Sequence, residues 1–364
     1  TSNRFMDIID KSLIKPPSLT GKSIKDKRQE LKSYFLLTWA KYESLFTLIN
    51  DDKAYYLIPE PLRHPLIFYY GHTATFYINK LMLGKFIDRR INGKLEAICA
   101  VGVDEMSWDD LNSEHYDWPS VDEVRHYRKQ VSALIEKLID TMELSLPIKQ
   151  NSLAWVILMG CEHERIHIET SSVIMRMLPL TYLTANNSWS TCAETGVAPN
   201  NELVNINGQL IIFGKPDSDD TFGWDNEYGH DEITIDNFSA SKYLVSNQEY
   251  LVFVEANGYQ QEQFWTAEGQ QWLAFTQAKM PRFWQEKADA NGNKAFYQRN
   301  LLNEMPLPLN WPVEVNYLEA KAFCNWKNES VNVGDIRLPT EGEWLCLRDQ
   351  LTGDLVDWQN ALGN

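Results

Sequence analysis

One uninterrupted run most constrains the fold of this chain: NSLAWVILMGCEHERIHIETSSVIMRML, residues 151–178, closed by Pro179. It is too long for a strand and carries apolar residues three and four apart, so it predicts a buried helix that needs partners on most of its sides. Three other stretches supply them. KDKRQELKSYFLLTWAKYESLFTLI, about residues 25 to 49, repeats apolar residues at the same spacing. LIFYYGHTATFYINKLMLGKF follows Pro65, a residue suited to a first helical turn, and is apolar on most faces. VDEVRHYRKQVSALIEKLIDTM follows Ser120, with Glu123 placed to complete a capping box. Four such helices, with one longer connection rich in Asp and Trp before Ser120, predict a four-helix bundle over residues 1–180.

Past Pro179 the helical pattern dissolves into Asn, Ser, Thr and Gly, which predicts a linker over residues 181–204. Residues 205–364 have another texture. QLIIFG, HDEITIDNF and NWPVEV read as short strands between turn clusters, and NQEYLVFVEANG and LEAKAFCNWKN as brief helices. The expected class is α followed by α+β. At 364 residues the chain exceeds a single comfortable core, so two domains also suit its length.

Composition excludes several partner classes. Lys plus Arg total 34 against 50 Asp plus Glu, a formal charge of −16 that repels phosphate backbones and anionic membranes. No apolar run reaches the roughly 18 residues of a membrane span, and the N-terminal residues lack an apolar signal core, so a cytoplasmic protein is expected. Cys99, Cys161, Cys192, Cys324 and Cys346 are scattered, odd in number and without a CxxC pair, which predicts buried free thiols rather than disulfides or a zinc ribbon.

Chemistry concentrates in the histidines. His163 and His167 are four apart on a helix, so they project about 40° apart on one face, in register with Val156, Gly160 and Ile174. Two inward imidazoles so placed can share a metal; two ordinary core histidines are the alternative. His72, two turns into the second helix, joins them if it faces the same interior. The string His163-Glu164-Arg165-Ile166-His167 also spells HExxH, the zinc metallopeptidase pattern with the glutamate as base, though the residues after His167 lack a third histidine at the usual spacing. Glu169 invites a reading as the carboxylate of a two-histidine, one-carboxylate iron site. Two residues along a helix is a rotation of about 200°, which points it away from His167, so it reads as a residue that supports a ligand or pairs with an arginine. His64, His115, His126 and His230 read as structural or solvated.

The segments RHPLIFYYGHTATFYINKL, AVGVDEMSWDDLN, HYDWPSVDEVRHYR and WVILMGCEHERIHIETS resemble the DinB-like domain of the sulfoxide synthases of thiol-histidine biosynthesis, most closely the 5-histidylcysteine sulfoxide synthases of the ovothiol branch. FGWDNEYGHDEITIDNF, SNQEYLVFVEANGY, WPVEVNYLEAKAFCNW and RLPTEGEW resemble the formylglycine-generating-enzyme-like module, of C-type-lectin-like fold, that follows the bundle in that family. The resemblance implies that His72, His163 and His167 hold Fe(II). It implies an oxygen-dependent coupling of the sulfur of L-cysteine to C5 of the L-histidine imidazole, giving a sulfoxide. The ergothioneine branch, acting on trimethylhistidine, typically carries Gln before the second helical histidine; Ile166 stands there and favours the ovothiol branch. The family's catalytic tyrosine is expected beyond Asn364, which implies a lectin-like module incomplete at its C-terminus. Anchoring two amino acid carboxylates calls for an arginine at the bundle mouth, and Arg63 is the candidate. A zinc peptidase, a DinB-type thiol transferase and a non-catalytic binding module remain as alternatives.

Overall fold

The computed structural model describes residues 15–101, 116–330 and 334–350. The described chain divides into two compact units, one taking the residues up to Thr191 together with Lys215–Tyr228, the other taking Cys192–Gly214 and the residues from Gly229 onward. His115 and most of the Asp- and Trp-rich connection lie outside the described residues.

The first unit is built on α1 (Ile24–Phe46), α2 (Leu66–Leu83), the short α3 (Gly93–Ile98), α4 (Val121–Thr141) and α5 (Leu153–Arg176). Each long helix begins where its sequence supplies a start. Ser23 and Ser152 cap α1 and α5 through their side chains, Pro65 precedes α2, and Ser120 with Glu123 forms the reciprocal box ahead of α4. α1 and α2 each pack against both α4 and α5, closing a four-helix ring. Leu31, Phe35, Ile78, Val131, Ile135 and Leu158 fill its centre, each 2% exposed or less. At about 1.5–3 kcal/mol for each such side chain, this burial is what stabilises the helices.

The close approach of α5 to α2 depends on Gly160: a Cβ there would lie 2.1 Å from the Tyr77 ring. The residues after Pro179 are tied to the end of α1, with Asn50 donating to the Tyr182 carbonyl at 2.9 Å and the Lys41 ammonium 4.1 Å from the Trp189 ring. Lys215–Tyr228 adds Phe222 to the core, its ring 4.7 Å from that of Trp155.

The second unit contains three small antiparallel sheets. β1 (Leu203–Ile206) pairs with β4 (Phe238–Ser241), β2 (Leu210–Phe213) with β3 (Asp231–Thr234), and β5 (Trp284–Ala288), β6 (Lys294–Arg299) and β7 (Glu304–Pro306) form a meander. Helices α6 (Asn247–Glu255), α7 (Ala267–Thr276), α8 (Tyr317–Ser330) and α9 (Glu341–Asp349) complete it. Tyr250, Phe253, Tyr259, Trp265, Trp284 and Phe323 make its main core. The expected strands in QLIIFG and HDEITIDNF are present. NWPVEV is not one: its proline cannot donate to a ladder, and Pro312 makes only an isolated bridge to Ser246. Cys99, Cys161, Cys324 and Cys346 are buried free thiols, and Cys192 is an exposed one. Among the described residues, no helix is long and apolar enough to cross a membrane.

Candidate metal centre

α2 and α5 run antiparallel in contact, so successive turns of one meet successive turns of the other: Tyr69 lies by His167, and Phe76 and Tyr77 lie by His163 and Gly160. This register sets His72 between His163 and His167. The Nε2 atoms of His72 and His163 are 3.1 Å apart, and one candidate ligand atom from each of the three histidines lies within 4.8 Å of the other two. Two nitrogens each about 2.1 Å from one metal ion, at right angles, stand about 3 Å apart. The cluster therefore has the spacing of a shared ion.

The surroundings also favour ligation. His72 Nδ1 is 2.7 Å from the Cys99 carbonyl, to which it can only donate, leaving Nε2 with its lone pair directed at His163. His167 Nδ1 lies 3.2 Å from Thr170 Oγ1. Two lone pairs at the His72–His163 separation repel unless a proton or a cation stands between them, and an ion held by three imidazoles removes that cost. The rings are wedged among aromatics: Phe76 stacks on His163 at 3.7 Å between centroids, and Phe68 on His72 at 5.1 Å. Burial, then the neighbouring His72 and His167 and the Lys80 ammonium, holds His163 well below its usual protonation range. Burial, then His72 and Arg63, lowers His167 to about 3. Both are neutral imidazoles at physiological pH, the form a metal requires. This donor set suits a divalent first-row metal.

The sequence reading missed what holds His72. Asn92 caps α3, its side chain accepting from Leu95 N at 3.1 Å, and the buried Glu96 of that helix accepts from the Tyr127 hydroxyl at 2.8 Å and pairs with Arg90 at 3.2 Å. These contacts fix the helix whose last residues present the Cys99 carbonyl. Gly71 admits it, since a Cβ there would lie 2.6 Å from Cys99 Sγ. The available signal was an Asn cap ahead of an apolar-polar hexamer, too short to stand out by periodicity.

Glu164, the base of the peptidase reading, is fully buried and directed at Arg128 of α4, with 3.4 Å between Oε2 and the guanidinium. Burial raises its carboxyl to about 7 against the lowering effect of Arg128. A carboxylate engaged in that pair is not presented as a base. Glu169 is exposed, and the expectation that it supports a ligand is corrected: the rotation of about 200° from His167 sets it on the solvent side of α5. Arg63 is exposed just before α2, close enough for its charge to bear on both His167 and Tyr69. Lys80, half-buried one turn beyond Phe76, lies 5.4 Å from that ring. Ile166 is 47% exposed beside His167. His64 is structural, its Nε2 2.9 Å from the Val101 carbonyl, while His126 and His230 are exposed.

Comparison with known proteins gives both halves a match. Residues 34–171 match the DinB superfamily, and residues 190–347 match the sulfatase-modifying factor enzyme 1-like domain. Ergothioneine biosynthesis protein 1 of Schizosaccharomyces pombe is 26% identical over 341 residues, 84% of this chain and 40% of that protein. Hercynine oxygenase of Mycolicibacterium thermoresistibile is 24% identical over 297 residues, 81% of this chain and 61% of that protein. Hercynine oxygenase of Mycobacterium tuberculosis is 27% identical over 146 residues, 39% of this chain and 31% of that protein. The chain thus spans about half the length of the curated relatives it matches. The two matches stand in the order, a DinB superfamily domain and then a sulfatase-modifying factor enzyme 1-like domain, expected from the sulfoxide-synthase family that the sequence resembles.

Proposed function

We propose that this chain is the catalytic region of an iron(II)- and oxygen-dependent sulfoxide synthase that joins a cysteine sulfur to the imidazole of a histidine derivative. The observation that carries this reading is the convergence of His72, His163 and His167, neutral and buried, inside the DinB half of a two-domain chain whose relatives are named for ergothioneine biosynthesis and for oxygenation of hercynine. The overall reaction balances: a thiol S–H and an imidazole C–H are lost, one C–S bond forms, and dioxygen supplies the sulfoxide oxygen and leaves as one water. When bound, iron(II) supplies the binding and reduction of dioxygen. The three imidazoles would hold it from one side, and the aromatic rings against them exclude bulk water. Arg63 and Lys80 border the site toward its two ends, cationic groups for substrate carboxylates. Iron and these substrate roles rest on the resemblance and the donor chemistry.

For the acceptor we favour trimethylhistidine, in accord with the relatives' names. Ile166 is the observation for unmethylated histidine, because no amide stands beside His167 to meet an imidazole. One assay tests both: anaerobically reconstituted protein is given dioxygen, cysteine or γ-glutamylcysteine, and either acceptor, while oxygen uptake and product mass are followed. A sulfoxide-linked product formed with oxygen uptake is expected. Metal-dependent turnover without oxygen uptake would sink the proposal and favour the thiol transferase. Arg63→Ala should raise KM for the amino acid substrates several-fold, and an unchanged KM removes it from the site.

A further inference from the structure

A single guanidinium at the centre of the bundle touches all three other long helices. Arg128, on α4, is 1% exposed. It pairs through Nε with Glu43 of α1 and stacks over Trp39 of the same helix at 4.2 Å. Its Nη1 donates to the Tyr70 carbonyl at 3.0 Å and to Thr73 Oγ1 at 2.7 Å, both on α2. Its Nη2 reaches Glu164 of α5 at 3.4 Å. Thr73 is the residue after His72 and Glu164 the residue after His163. One rigid fork is therefore bonded beside a candidate ligand on each of the two ligand-bearing helices.

Burying a guanidinium and a carboxylate is costly, and such a pair adds little net stability over apolar side chains of similar volume. What it adds is direction. Apolar packing tolerates small slides of one helix along another, whereas a planar fork with fixed donors does not. A slide of 1 Å between α2 and α5 would spoil the approach of His72 to His163, because donors must stay within a few tenths of an ångström of their metal distance. We propose that Arg128 is a positioning residue for the metal centre, locking the α2–α5 register through Thr73, the Tyr70 carbonyl and Glu164. The glutamate of the HExxH string then serves as the α5 end of this lock. The inference rests on the reading of the three histidines as a metal site.

The test is titration of metal-free protein with Co(II) alone, followed by its visible absorption, alongside thermal unfolding of the metal-free forms. Wild-type binding of one equivalent establishes the site; no binding would fail the metal reading itself and is distinguishable from failure of this one. Given wild-type binding, Arg128→Met/Glu164→Gln, which removes both charges of the fully buried pair and leaves only the one-third-exposed Glu43 carboxylate without its guanidinium, should bind Co(II) about 10–100-fold more weakly, the usual cost of losing a group that orients metal ligands. Should that variant fail to fold, Arg128→Lys decides, since it keeps the charge but loses the fork, and weaker binding with an altered spectrum is expected. A folded variant of either kind with wild-type affinity and spectrum overturns the proposal, even if its unfolding temperature falls, because a merely structural arginine would move only the latter.

Discussion

Each half of this molecule buries a glutamate against hydroxyls and aromatics, and the two do different things. Glu164 in the bundle faces a guanidinium that also binds α1 and α2, and it sits one residue from His163 of the three-imidazole cluster. Glu319 in the second unit accepts from the Tyr259 hydroxyl, itself bonded to Tyr250 at 2.9 Å, and from Asn316 N at 3.1 Å at the start of α8. Burial raises both carboxyls. Both carboxylates bond to groups distant in sequence, but the partner of the first also holds residues adjacent to the histidines, whereas the second ties the first turn of α8 to two tyrosines. A buried acid marks a site only when its partners also orient something else, and among the described residues the histidine cluster lies in the bundle alone.

The sharpest way to break this contrast is to remove a histidine. His72→Ala, His163→Ala or His167→Ala should each abolish bound metal, read as metal per protein after reconstitution, and retained stoichiometry excludes that residue. Next in size, Gly160→Ala should cost about 1–3 kcal/mol by forcing α5 from the Tyr77 ring. It should also weaken metal binding, and calorimetry with a metal titration would show both. In the second unit, Tyr259→Phe removes the hydroxyl donor to Glu319 Oε2 and should cost about 1–3 kcal/mol while leaving metal stoichiometry at the wild-type value. Loss of metal in that variant would erase the contrast between the halves.

The smallest effect concerns pH. Arg337 holds Glu343 down to about 2, so this pair contributes stability that is present above about pH 4.5 and is lost as pH falls toward 2. Arg337 is half-exposed, so Glu343→Gln should remove about 1 kcal/mol or less, visible as a flatter acid limb in unfolding temperature against pH. Glu319 runs oppositely. Raised by burial, it contributes stability below the ordinary carboxylate range that is lost as pH rises, and Glu319→Gln should remove that dependence.

The bundle was legible because its long helices declare themselves: period and cap coincide at Ser120 with Glu123, and at the end of α5 the period stops at Pro179. The spacing of His163 and His167 was legible for the same reason, since a helix converts sequence interval into direction. In the second unit, short strands such as β5 to β7 carry too few residues for a pattern to exceed chance, and β7 even holds a proline. Glu169 shows the limit within a helix, because spacing indicated where it points while its expected supporting role needed a partner that solvent does not provide.

The amino-acid sequence by itself determined the four long helices, the two histidines on one face of α5 and the change of texture after Pro179. Tertiary structure alone decided that His72 meets them, that the Cys99 carbonyl sets its tautomer, and that Glu164 turns to Arg128. The physical reason is that periodicity describes one element at a time. A ligand set, a hydrogen bond from α2 to the end of α3 and a buried ion pair across the bundle exist only once separate elements have packed in register.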